Sequence, residues 1–188
     1  MIEVEKKFQP TEEQLKMLLA GAEFLGEKEY TDIYYDLPDL SFYKRELRLR
    51  KRNDDYELKI QISDSKQHKA VFNEEVTESG EILARLGFDR NDNLEKIIRE
   101  NLVILCTIKT KRKKYRVGEF EIDVDETDFD YNICEIELMV ESEANINEAE
   151  QKILTLAEHF GFSTKKLPGK VAECLRKTRP EIYKELRK

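Results

Sequence analysis

Apolar and charged residues alternate with period 2 along Ile2-Glu3-Val4-Glu5-Lys6-Lys7-Phe8, the mark of a strand with two unlike faces, and Glu3, Glu5 and Lys7 share one of them. The scheme returns at Leu47-Arg48-Leu49-Arg50-Lys51-Arg52 and, after the turn-like Asn53-Asp54-Asp55, at Tyr56-Glu57-Leu58-Lys59-Ile60-Gln61-Ile62, a pair that reads as a hairpin. Asp32 to Asp36 and Phe72 to Val76 are shorter candidates. The stretch from Val103 to Arg116 begins apolar and turns basic, and Gly118 marks a turn. Beyond it Phe120, Ile122 and Val124 alternate with Glu119, Glu121, Asp123 and Asp125, and then Cys134, Ile136 and Leu138 alternate with Glu135 and Glu137. These runs predict eight strands, enough to close a barrel with room for one small ligand.

Helical periodicity fills the gaps. Thr11 and Gln14 form a capping box before Leu15, Leu18 and Leu19; Asn147 and Glu150 are spaced to do the same before Ile153, Leu156, Ala157 and Phe160, with Gly161 as the stop. Shorter helices are predicted at Glu81 to Gly87, around Leu94 to Leu102, and in two carboxyl-terminal pieces separated by Pro180. The apolar strand faces match the apolar helix stripes, so the helices belong outside and the charged faces inside. The expected fold is α+β: an eight-stranded antiparallel β-barrel tunnel with a charged lumen and helices packed outside. No repeat or linker divides the chain, which predicts one domain over residues 1–188.

Composition narrows the chemistry. The 188 residues carry 33 Lys+Arg against 40 Asp+Glu, a net charge of −7, and the charged and hydrophobic shares are both 39%, which excludes a disordered tail. The longest apolar run, Leu102 to Cys106, falls far short of the roughly 20 residues of a membrane helix, and the first residues lack a secretory pattern, so a cytoplasmic location is expected. Cys106, Cys134 and Cys174 form no C-x-x-C pair, and His68 and His159 stand alone. With seven glycines and neither G-x-x-x-x-G-K-[ST] nor G-x-G-x-x-G, any phosphate must be held by side chains. The basic run Lys109 to Lys114 with Arg116 reads as a strand charged on both faces rather than a nucleic-acid patch, because the chain as a whole is acidic. The acidic run from Asp123 is no EF-hand loop, since Asp128 stands where glycine is needed and Cys134 where glutamate is.

Strand parity places Glu3, Glu5, Asp123, Glu135 and Glu137 inward together with Lys7, Arg48, Arg50, Lys59 and Arg112. Charges turned inward are costly unless they pair with one another, water or a ligand, so the arrangement points to function. Hard carboxylate oxygens suit Mg²⁺ or Mn²⁺, and guanidinium forks and ammonium groups suit phosphate oxygens. Both classes together, without a reactive histidine or thiol, describe a metal–polyphosphate clamp.

A series of ordered blocks carries a family likeness. Ile2-Glu3-Val4-Glu5-Lys6-Lys7-Phe8 is similar to the amino-terminal E-x-E-x-K signature of the CYTH superfamily of triphosphate tunnel metalloenzymes. Tyr34 to Leu40, Leu47-Arg48-Leu49-Arg50, Glu57-Leu58-Lys59, Thr110-Lys111-Arg112, Asp123 to Tyr131, Glu135-Ile136-Glu137 and Arg179-Pro180 extend the likeness, and the wording resembles the thiamine-triphosphatase-like branch most. The resemblance implies a Mg²⁺-dependent hydrolase, with Mn²⁺ as substitute, that cleaves thiamine triphosphate to thiamine diphosphate and phosphate, or inorganic triphosphate to diphosphate and phosphate. It assigns Lys7, Arg48, Arg50, Lys59, Arg112 and Lys170 to phosphate and Glu3, Glu5, Asp123, Glu135 and Glu137 to metal, with Lys59, Glu5 and Arg50 expected to act in catalysis. Lys170 enters through the resemblance alone. Animal thiamine triphosphatases place a tryptophan before the Leu-Arg-x-Arg segment; here Glu46 stands there and the chain has no tryptophan. Tyr43 or Phe42 is then the candidate aromatic face for a thiazolium. The alternatives are a class IV-type adenylyl cyclase and a non-catalytic polyphosphate-binding module. The expected partner is a small-molecule triphosphate, with no nucleic acid, no membrane and a monomeric state.

Overall fold

A computed structural model describes residues 1–62 and 68–186. In chain order the elements are β1 (Ile2–Phe8), α1 (Glu12–Leu19), β2 (Glu23–Asp36), α2 (Ser41–Lys44), β3 (Leu47–Arg52), β4 (Asp55–Gln61), β5 (Val71–Val76), α3 (Ser79–Leu86), α4 (Leu94–Asn101), β6 (Val103–Val117), β7 (Phe120–Thr127), β8 (Ile133–Val140), α5 (Ile146–His159), α6 (Lys170–Thr178) and α7 (Pro180–Glu185). The eight predicted strands are present, and they hydrogen-bond in the closed antiparallel order β1-β5-β4-β3-β2-β6-β7-β8. No described helix is long and apolar enough to cross a membrane.

Contacts divide the chain into two compact units, neither continuous in sequence. The first comprises residues 1–29, 62–74 and 110–168. Here Val4 and Phe8 of β1 and Ile136 and Leu138 of β8 pack against Ile146, Ala149, Ile153 and Ala157 of α5, so the helix covers the apolar face and Glu3, Glu5, Lys7, Glu135 and Glu137 take the other. The register pairs Glu5 with Glu137 and Lys7 with Glu135 across β1 and β8, and Asp123 with Glu135 across β7 and β8. A shared face is thereby filled with carboxylates. The predicted Thr11–Gln14 capping box is present, with each backbone N–H bonded to the other's side chain at 2.9 and 3.2 Å.

The second predicted capping box is not formed. A 3-10 turn at Glu143–Asn145 leads into α5 at Ile146, and no side chain caps it. Glu150 is engaged elsewhere: its carboxylate accepts from the backbone N–H groups of Lys69 and Ala70 at 2.5 and 2.8 Å and lies 2.8 Å from His68 Nδ1. Two amide donors outweigh the one that a box would have satisfied, so tertiary bonding overrides the local rule. The stop behaves as predicted: Gly161 takes φ +69°, and the Phe162 N–H returns to the Ala157 carbonyl at 2.8 Å.

The second unit comprises residues 30–61, 75–109 and 169–188. Its core joins Leu47, Leu49 and Leu58 of the β3–β4 hairpin to Ile82, Leu83 and Leu86 of α3 and Leu94 and Ile98 of α4. Asn53 turns the hairpin at φ +53°. Register pairs Arg48 with Lys59 and Arg50 with Glu57, putting these charges on the face away from that core.

A candidate metal and phosphate site

The charged face of the first unit is a connected network. Lys7 bonds Glu5 and stands 3.3 Å from Glu135. Arg112 forks onto Asp125 through Nε and Nη2, both at 2.6 Å, donates from Nη1 to Asp123, and reaches Glu135 at 2.7 Å. Lys114 lies 2.7 Å from Glu121, 3.3 Å from Asp123 and 3.7 Å from Glu137. Asp123 and Asp125 are 0% exposed, and Arg112 and Lys114 offset their buried charge.

Among the described residues, seven carboxylates, Glu3, Glu5, Glu121, Asp123, Asp125, Glu135 and Glu137, face Lys7, Arg112 and Lys114, with Arg116 3.7 Å from Glu121 at the edge, leaving a formal charge of −3. The excess shows in the proton affinities. Burial first, then Asp123, Glu135 and Glu5, push the Glu137 carboxyl up to about 7. Burial also raises Asp123, against the pull of Arg112 and Lys114. Burial opposes the Arg112 charge, but Asp125, Glu135 and Asp123 outweigh it and keep the guanidinium protonated.

The acidic residues fall into two groups, Glu3-Glu5-Glu137 and Asp123-Glu135-Glu137, each with one oxygen per residue lying within 4.8 Å of the others. Glu137 belongs to both. These are hard oxygen donors under a residual negative charge, the donor chemistry that fits Mg²⁺ or Mn²⁺ and not a thiolate- or imidazole-seeking metal. All five carboxylates singled out from the sequence therefore lie in this one network. Asp125, Glu121 and Lys114 belong to it too, on the parity of Asp123 and Arg112 and two positions from them. Lys111 and Lys113 turn to the opposite face, where they meet Glu27 at 3.0 and 3.9 Å, while Arg116, on the face of Arg112 and Lys114, meets Glu23 at 3.3 Å and Glu121 at 3.7 Å.

In the second unit the cations are anchored on carboxylates and rings. Arg50 bonds Glu57, approaches Asp32 at 3.8 Å and lies 3.5 Å from the Tyr34 hydroxyl. Burial opposes its charge, but Tyr34, Glu57 and Asp32 raise its hold on the proton, and its Nε is buried with no acceptor among the described residues. Arg52 clasps Asp32 at 2.8 and 2.9 Å and lies 3.9 Å over the Tyr30 ring. Lys59 stands 3.5 Å from Glu75. Lys170 is the first residue of α6, half-buried.

Arg48 has a different setting. Its guanidinium lies 3.6 Å over the Tyr43 ring, donates to the Tyr43 and Leu47 carbonyls at 3.0 and 2.9 Å, and meets Glu46 at 3.0 Å. Phe42 is fully buried in the core. Asp36, 1% exposed, sets this corner by accepting from the backbone N–H groups of Leu37, Phe42 and Tyr43 at 2.7, 2.9 and 2.9 Å.

The CYTH domain model matches residues 1–168. The chain is 29% identical to the human thiamine-triphosphatase over 99% of its own length and 89% of that protein's, and 28% identical to the Macaca fascicularis one with the same coverage. Among solved structures, a candidate adenylate cyclase from Vibrio parahaemolyticus matches at TM-score 0.63 and 19% identity, covering 94% of this chain and 98% of that one. A candidate adenylyl cyclase from Hippeastrum, described as having a dominant triphosphatase activity, matches at TM-score 0.55 and 13% identity, covering 98% and 95%. At these identities the structural likeness speaks for the fold alone. The ordered sequence blocks, the closed eight-strand order and a family match over most of the length agree, and the chain belongs to the CYTH domain family.

Proposed function

We propose that the chain is a divalent-metal-dependent triphosphatase that cleaves the terminal phosphoanhydride of inorganic triphosphate or thiamine triphosphate. One observation carries this reading: within a CYTH domain, five carboxylates form two oxygen groups that share Glu137 and outnumber Lys7, Arg112 and Lys114, the cations seen to pair with them among the described residues. A fold seeking only stability gains nothing from that excess.

Glu3, Glu5, Asp123, Glu135 and Glu137 would hold Mg²⁺. When bound, the ion supplies Lewis-acid polarisation of phosphoryl oxygens and offsets charge on the leaving diphosphate. The rest falls to the chain's own cations. Arg50 presents a buried, unused Nε–H to a phosphate oxygen, and Arg48, Lys59, Lys7, Arg112 and Lys170 bind and orient the others. Guanidinium groups that carry their charge permanently stabilise negative charge as it builds on the diphosphate, without reorganisation at the moment of reaction. Lys59, Glu5 and Arg50 are assigned to catalysis on this basis.

Substrate preference turns on Tyr43 and Glu46. Arg48 covers one Tyr43 face and engages the Glu46 carboxylate, so a cation of the chain itself already partners both groups that could attract a thiazolium. Recognition then rests on the phosphate chain, which supports turnover of inorganic triphosphate at least as fast as thiamine triphosphate. The test is phosphate release from inorganic triphosphate, thiamine triphosphate and ATP, with and without Mg²⁺, with cyclic AMP measured in parallel. Glu5→Gln is expected to lose most Mg²⁺-dependent turnover while remaining folded. Metal-independent release, or cyclic AMP as the main product from ATP, overturns the reading.

A further inference from the structure

Among the cations that reach the two oxygen groups, Lys114 differs from Lys7 and Arg112. Arg112 is fixed by a two-point fork on Asp125, and its side chain is 16% exposed; Lys7 is 13% exposed; Lys114 is 34% exposed. Its ammonium sits at the end of a flexible stem and touches one member of the network that neither oxygen group contains, Glu121, together with two that they do, Asp123 and Glu137. The nearest contact, 2.7 Å, is to Glu121. A surface cavity of about 540 Å³ has Glu121 and Glu137 among its lining residues.

We infer that Lys114 is a displaceable counter-cation: it occupies the Asp123 and Glu137 oxygens in the metal-free protein and retreats onto Glu121 when a divalent ion takes them, so that it sets the metal affinity of the site. The inference rests on the metal reading proposed above and deepens it. An ammonium 3.3 Å from Asp123 and 3.7 Å from Glu137 repels any ion sharing those oxygens, while Glu121 provides an anionic resting place that keeps the departing charge paired. Without Lys114 the buried carboxylates would repel one another more strongly in the empty protein. The residue thus stabilises the metal-free fold and weakens metal binding, two effects of one charge.

The test is Mn²⁺ and Mg²⁺ titration by calorimetry on the full chain, comparing the parent protein with Lys114→Gln and Lys111→Gln. Both variants remove one positive charge from β6, but Lys111 pairs with Glu27 on the opposite face. Lys114→Gln is expected to tighten Mn²⁺ binding at least tenfold and Lys111→Gln to change it less than twofold. A second measurement needs no variant. The rate at which an acetylating reagent modifies the Lys114 amine, followed by mass spectrometry, is expected to rise severalfold when Mg²⁺ is added. Unchanged or weaker binding in Lys114→Gln, equal tightening in both variants, or a Lys114 reactivity that Mg²⁺ leaves unchanged or lowers would overturn the inference while leaving the metal reading intact. A parent protein that binds neither ion would remove both.

Discussion

Replacing Glu137 by glutamine isolates the cost of the crowded carboxylates. In the metal-free protein the Glu137 carboxyl titrates near 7 against an ordinary value of 4.5, raised first by burial and then by Asp123, Glu135 and Glu5. The folded protein therefore holds this proton through a range where the unfolded chain has released it. Folding stability falls as pH rises from about 4.5 to about 7 and then levels, while below 4.5 the group carries no penalty. At about 1.4 kcal/mol per tenfold, that interval corresponds to roughly 3 kcal/mol at pH 8. Glutamine keeps the shape and cannot ionise. The variant forfeits the long 3.7 Å contact of Glu137 with Lys114, whose side chain is 34% exposed, a pair worth about 1 kcal/mol. The net expectation is that chelated Glu137→Gln is about 2–3 kcal/mol more stable than the parent at pH 8 and equal to it near pH 4.5, read from urea denaturation at several pH values. Mg²⁺ at saturating concentration should then stabilise the parent at pH 8 more than the variant. A variant less stable than the parent at pH 8, or a difference independent of pH, would refute the reasoning.

Other substitutions probe the supports of the two charged faces. Arg112→Lys replaces a fork that reaches Asp123, Asp125 and Glu135 by a single ammonium and leaves fully buried carboxylates underpaired, so about 3–5 kcal/mol of stability should be lost in chelated protein, measured by urea denaturation. Asp36→Ala strands the backbone N–H groups of Leu37, Phe42 and Tyr43 and should cost about 2–3 kcal/mol, seen as a fall of several degrees in Tm. Arg50→Ala removes the donor with the unused buried Nε, and both affinity and rate for inorganic triphosphate should fall; unchanged kinetics would place Arg50 outside phosphate binding.

Period-2 alternation was sufficient to find all eight strands and to say which side chains share a face, because a strand's side-chain direction is fixed by its own backbone. The same parity gathered Glu3, Glu5, Asp123, Glu135 and Glu137 before any coordinates were needed. It was less informative where a strand is held by its neighbours. Only Asp32 to Asp36 read as a strand, yet β2 begins at Glu23, in a stretch where Glu23 and Glu27 meet Arg116 and Lys111 of β6. Local spacing also assigned Glu150 to a helix cap, whereas the fold brings the amides of Lys69 and Ala70, some eighty residues away, to its carboxylate. Parity could not state which carboxylate each cation would choose. That Arg112 forks onto Asp125 and reaches two further acids, that Lys114 stands between Glu121 and the oxygen groups, and that Glu137 belongs to both groups follow from register between strands. Faces are a property of one strand and are written in its sequence. Distances between charges on different strands, and the proton affinities they set, depend on how those strands pair, which only the tertiary structure decided.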